Sequence, residues 1–98
     1  MKVKIQSVHF DADQKLTAFI EEKVHKLTHF YDGIVGVEVI LKLEKSNTSE
    51  NKVAEIKLEI KGNDLFAKRQ CKTFEEAAVQ CSDALKNQLT KQKEKLGH

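Results

Sequence analysis

The stretch VAEIKLEIKGNDLFAKRQC, residues 53–71, decides the fold. Ala54, Ile56, Leu58 and Ile60 alternate with Glu55, Lys57, Glu59 and Lys61, so a strand through them has one apolar face and one charged face. The apolar face must be covered and the charged face meets solvent. Gly62-Asn63-Asp64 reads as a turn, and LFAKRQC, residues 65–71, as a further strand of mixed pattern. Upstream, Val35, Val37, Val39, Leu41 and Leu43 alternate with mostly polar neighbours, and the polar KSNTSEN at 45–51 reads as a hairpin loop. Residues 2–7 alternate again, with Val3 and Ile5 on the apolar face.

Two helices complete the chain. Asp11 followed by Gln14 has the pattern of a reciprocal cap, and Leu16, Phe19, Ile20, Val24, Leu27 and Tyr31 recur at helical spacing, which predicts a helix over about 12–30. Asp32, Gly33 and Gly36 break it. Thr73-x-x-Glu76 opens a second helix that the apolar stripe extends to about residue 95. The order is β-α-β-β-β-α. One apolar face per strand and one stripe per helix predict an α+β two-layer sandwich: a four-stranded mixed sheet with both helices packed on one face. A right-handed crossover through the first helix makes the first two strands parallel, and the rest is a meander.

The 98 residues are 40% hydrophobic and lack proline, a composition expected of a single domain over 1–98. The N-terminal MKVKIQSVHF has no long apolar run, so the expectation is a cytoplasmic protein without signal peptide or membrane span. Cys71 and Cys81 lack CxxC spacing and are expected as reduced, packed thiols.

The formal net charge of +2 is too small to argue for nucleic acid, but its distribution is uneven. Residues 1–60 carry nine lysines against ten acids, and residues 61–98 carry eight Lys or Arg against five. At about 100° per residue, Phe74, Ala78, Cys81, Leu85, Leu89 and Leu96 fall near one line of the second helix. Lys86 and Lys93 lie to one side of that line, and Lys91 and Lys95 to the other. On the first helix Lys15, Lys23 and Lys26 flank the stripe on one side, with Glu21 and Glu22 on the other side or the back. If the lysine flank faces the second helix, the groove between the helices is lined by ammonium groups suited to a phosphate ridge of folded RNA. Lysines beside an apolar stripe also serve simply as a solvated edge.

The pattern resembles the ribosome hibernation promoting factors, also called ribosome-associated inhibitors, in their short form. The resemblance rests on Leu16, Phe19, Lys23, Lys26 and Leu27, on VILKLEK at 39–45, and above all on DALKNQLTKQKEKL at 83–96, where Leu85, Gln88, Leu89, Lys91, Lys93 and Lys95 match a basic second helix. It departs at Asn87, where arginine is common. It departs also at QCKTFEEA, which lacks the usual glycine and an Asp-Met-Tyr opening, and where Glu75 replaces an aromatic. The resemblance implies binding to ribosomal RNA of the small ribosomal subunit in the channel for messenger and transfer RNA, inhibiting translation in stationary or stressed cells. It implies RNA contacts by Lys23, Lys26, Gln88, Lys91, Lys93 and Lys95, to which the helical projection adds Lys86.

No catalysis, cofactor, metal or small-molecule substrate is expected. His25 and His29 are four apart but without a third ligand and on the solvent side, His9 and His98 have no paired nucleophile, and the adjacent acids Glu21-Glu22 and Glu75-Glu76 diverge. The free protein is expected to be monomeric. A generic double-stranded-RNA binder and a protein-interaction module remain as alternatives, since fold does not fix function.

Overall fold

Alternation and helical periodicity resolve into six elements: β1 (Lys2–Val8), α1 (Gln14–Phe30), β2 (Ile34–Leu43), β3 (Lys52–Ile60), β4 (Asn63–Cys71) and α2 (Phe74–Leu96). The structure is a computed structural model that describes residues 2–45 and 49–96, the last two by backbone alone. The middle of the expected loop at 45–51 and His98 therefore lie outside the described residues, as do the side chains of Lys95 and Leu96.

The sheet order is β1-β2-β3-β4, with β1 and β2 parallel and the other pairs antiparallel, as a helical crossover followed by a meander requires. Val37, Val39 and Leu41 of β2, Ala54, Ile56 and Leu58 of β3, and Leu65 and Ala67 of β4 form one buried layer. Leu16, Ile20, Val24 and Leu27 of α1 and Ala77, Ala78, Cys81, Leu85 and Leu89 of α2 cover it. Both helices thus lie on one face of the four-stranded mixed sheet.

Three regions depart from the sequence reading: the two ends of the first helix, the β3–β4 turn and the start of β2. The first helix is capped by Asp13, not Asp11: the Asp13 carboxylate accepts from Leu16 N–H at 2.8 Å, and the helix begins at Gln14. Phe10 stacks on Phe74 with ring centroids 4.5 Å apart, and His9 takes a left-handed φ of 70°. This anchors the preceding chain to the start of α2 and leaves the helix to begin two residues later than the cap pattern at Asp11 implied. At the other end Tyr31, counted on the helical stripe, is the C-cap in extended conformation. The turn between β3 and β4 is tighter than expected: Ile60 pairs with Asn63, so Asn63 and Asp64 belong to β4. Gly62 supplies the positive φ of 85° that this two-residue connection needs.

Val35 gives the third departure. Ile34 pairs with Ile60 and Gly36 with Glu59, so Val35 is the extra residue of a β-bulge and the pleat changes phase there. Val35 is 61% exposed while Ile34 and Val37 are buried. Val35→Thr should leave the unfolding free energy from a urea titration within about 0.5 kcal/mol of the parent, as surface changes do. Val37→Thr, placing a hydroxyl in the core, should destabilise by about 1–3 kcal/mol.

On the open face of the sheet, Lys4, Glu38 and Lys57 lie side by side in register, and Glu55 lies opposite Lys68, with N–O 3.9 Å. Charges of opposite sign alternate across strands, so this face carries no field of one sign. Val53, fully buried between Lys42 and Gln70, half-buried Ile40 opposite Glu55 and exposed Phe66 opposite Lys57 are apolar residues on that face.

Candidate nucleic-acid interface

The helix layer, unlike the sheet face, segregates its charge. α2 is held to the sheet by Leu85 and Leu89, both fully buried, and its N-terminus is capped by the Thr73 hydroxyl accepting from Glu76 N–H at 3.0 Å. That docking fixes the rotation of α2 and hence the direction of every lysine on it. Lys86 and Lys93, seven residues and so two turns apart, project from the flank that faces α1. Both reach the ring of Phe30, the last residue of α1, with ammonium nitrogens 5.2 and 4.2 Å from its centroid. On α1, Lys23 sits 5.3 Å from the Phe19 ring. Ring faces attract cations, so the two phenyl groups draw three ammonium groups toward them, without fixing or neutralising them.

Between the helices lies a cleft of about 460 Å³ to which α1 contributes Lys23, Lys26, His29 and Phe30, and α2 contributes Ser82, Asp83 and Lys86. Lys26 pairs with Glu22 at 3.8 Å, so the charge segregation on α1 is less complete than the sequence indicated. Both partners are more than two-thirds exposed, and such an i,i+4 pair contributes at most a few tenths of a kcal/mol. A phosphate displaces it at little cost.

The seven residues singled out in the sequence do not all share this groove. Lys23, Lys26 and Lys86 line it, and Lys93 stands beside it over the Phe30 ring. Gln88 and Lys91 stand on the opposite flank of α2, in a shallow cleft against β4 with Arg69, Gln80 and Asn87. Gln88 donates from Nε2 to the Phe66 carbonyl at 3.1 Å, tying α2 to the edge strand. Lys95 has its backbone in α2, and its side chain lies outside the described residues. The helix therefore presents two basic flanks separated by the buried seam, as its periodicity indicated, because residues on opposite sides of one helical stripe face different neighbours.

Sequence reading missed Phe30, Ser82 and Arg69. Phe30 lies three residues after Leu27, a spacing that marks it as stripe-adjacent, but nothing local says that its ring meets lysines of α2. Arg69 follows the mixed part of β4, where alternation is weak.

Both cysteines lie apart from the two clefts. Cys81 is fully buried, with its Sγ 3.2 Å from the Ala54 carbonyl, and burial pushes its thiol up to about 11. Burial also raises the Cys71 pKa, with the Glu76 and Glu50 carboxylates acting in the same direction. Both are free thiols held in the unreactive protonated form at neutral pH. His25 and His29 are exposed with ring centroids 6.3 Å apart, and among the described residues no group of three or more His, Cys, Asp or Glu is placed to hold a metal. No described helix is long and apolar enough to cross a membrane.

Residues 3–97 match the family described as Sigma 54 modulation protein / S30EA ribosomal protein. The chain belongs to this family. Among its S30EA relatives, the ribosome hibernation promoting factor of Pseudomonas putida is 34% identical over 95 residues, covering 97% of this chain and 89% of the relative. That of Escherichia coli is 31% identical over 97 residues, covering 98% and 97%. The fold is shared with solved structures: a ribosomal subunit interface protein from Coxiella burnetii (TM-score 0.83, 18% identity, 95% of this chain and 98% of that one), and the N-terminal domain of Protein Y from Thermus thermophilus (TM-score 0.78, 20% identity, 93% and 98%). The S30EA fold thus accounts for both layers of the molecule, and the resemblance seen in the second helix extends over nearly all of the chain.

Proposed function

We propose that this chain is a ribosome hibernation factor, a single ribosome-binding domain that acts in the cytoplasm without catalysis. In this reading it binds ribosomal RNA of the small subunit in the channel for messenger and transfer RNA and inhibits translation in stationary or stressed cells. The observation that carries the reading is the convergence of Lys23, Lys26 and Lys86 from two helices onto one groove, with Lys93 beside it over the Phe30 ring that Lys86 also reaches. Cations from both walls match a phosphate ridge better than cations on one exposed helix, because each phosphate is flanked on two sides. The balanced charge of the sheet face directs RNA to the helices, and the names of the relatives supply the ribosome as the source of that RNA. Lys91 and Gln88 extend the contact over the far flank of α2, and Lys95 belongs to the same set.

Recognition by such a surface is of shape and charge, with little base reading. About five phosphate contacts give a log–log salt slope near −3.5, so a fourfold rise in salt weakens binding about a hundredfold. Co-sedimentation of the purified protein with isolated small subunits and whole ribosomes across a salt series measures this. A protein that stays in the supernatant at low salt, or whose binding ignores salt, refutes the reading. Equal affinity for any long RNA duplex marks a generic double-stranded-RNA binder instead, and salt-resistant capture of a protein marks an interaction module.

A further inference from the structure

Ser82 stands on the α1-facing flank of α2, one turn before Lys86, and lines the inter-helix groove beside Lys23, Lys26 and Phe30. It is 7% exposed, and its Oγ has no hydrogen-bond partner among the described residues. Folded proteins rarely leave a buried hydroxyl in this state, because the water it gave up is not replaced. A helical serine or threonine has a ready remedy in the carbonyl four residues back. Thr90 takes it, donating to the Lys86 carbonyl at 2.9 Å. Ser82 does not, although it lies in the same helix.

The groups around it complete a different kind of site. Lys23, Lys26 and Lys86 bring three ammonium groups to the same groove, against the single carboxylate of Asp83, so the lining stays cationic. The lysine side chains are long and free to rotate, and Lys86 rests on the Phe30 ring rather than in an ion pair. We propose that the floor of the groove is a phosphodiester subsite, in which Ser82 Oγ donates to a non-bridging phosphate oxygen while Lys26 and Lys86 hold the other side of the same group. This rests on reading the groove as an RNA surface, and it gives that surface one fixed point of register amid mobile lysines. A hydroxyl donor on a rigid helix selects position, whereas ammonium groups alone attract any phosphate.

Ser82→Ala separates this role from a packing role. The change removes an orphaned hydroxyl and improves helix propensity, so the free variant melts a few degrees higher. It also removes the donor, so affinity for small subunits falls about tenfold at fixed salt. The salt slope stays unchanged because no charge is lost. Ser82→Thr, which keeps the hydroxyl, retains affinity. A readout independent of the ribosome is the set of backbone amide shifts at residues 82–86 when isotope-labelled protein is titrated with a short single-stranded RNA or with inorganic pyrophosphate. Shifts with the RNA that vanish in Ser82→Ala support the subsite. Shifts with pyrophosphate alone overturn the phosphodiester assignment in favour of a free-phosphate site. If Ser82→Ala binds subunits as tightly as the parent and keeps the RNA-induced shifts, the proposal is overturned and the ribosome reading stands. If the parent fails to pellet with subunits yet shows the Ser82-dependent RNA shifts, the ribosome reading falls and the subsite stands.

Discussion

The variant carrying Lys86→Glu, Lys91→Glu and Lys93→Glu will fail to pellet with small ribosomal subunits at salt concentrations where the parent binds fully, while melting at nearly the same temperature. All three lysines are exposed, and none is in the buried layer that holds α2 to the sheet, so stability is not what the substitutions remove. They act on both flanks of the helix. Lys86 and Lys93 leave the Phe30 ring, where a carboxylate is repelled by the π face that attracted an ammonium. Lys91 leaves the cleft shared with Arg69. The formal net charge moves from +2 to −4, which replaces attraction by repulsion along the whole approach. With about three of five phosphate contacts gone, the salt slope of any residual binding drops from about −3.5 to about −1.4, and affinity falls by about a hundredfold or more. A triple variant that pellets like the parent would remove the basic helix from the mechanism altogether.

The second large effect lies one residue away and is of the opposite kind. Leu85→Ala should destabilise the fold by about 3 kcal/mol, within the range for emptying a buried leucine site. In a domain of this size that lowers Tm by roughly 12–24 °C. Leu85 is fully buried between α2 and the sheet, and its neighbours Leu89, Cys81 and Ala78 are fully buried too, so the cavity cannot collapse by small shifts. Lys86→Ala next to it, on the exposed flank, should change stability by no more than about 0.5 kcal/mol. Urea titrations of the two variants, compared at equal m-values, test the contrast. A mild Leu85→Ala would mean that α2 is held by its ends rather than by its central stripe.

The same juxtaposition explains what was legible in advance. Leu85 was read as core and Lys86 as flank because both follow from a 3.6-residue period, which depends on the chain next to itself. Ala54, Ile56, Leu58 and Ile60 were read as one face of a strand for the same reason, with a period of two. Val35 was misplaced by that logic: the alternation through Val37, Val39 and Leu41 extends back to it on paper. The pairing of Ile34 with Ile60 and Gly36 with Glu59 inserts a bulge that alternation cannot register. Asp11, with Gln14 three residues on, is locally the better cap pattern, yet Asp13 caps the helix while Phe10 stacks on Phe74, a contact between residues far apart in the chain.

By itself, then, the sequence determined the order of elements, the face each one buries and the flank on which each lysine lies, because periodicity and capping are interactions within a few residues of chain. It also carried the family resemblance, since the basic second helix is a contiguous string. Only the tertiary structure decided which flanks meet. It set Lys86 and Lys93 against Phe30, turned Lys91 and Gln88 toward β4, and left the Ser82 hydroxyl in the groove without a partner among the described residues. Those outcomes depend on how α1 and α2 rotate as they settle on a common sheet, and that rotation is fixed by packing between residues far apart in the chain.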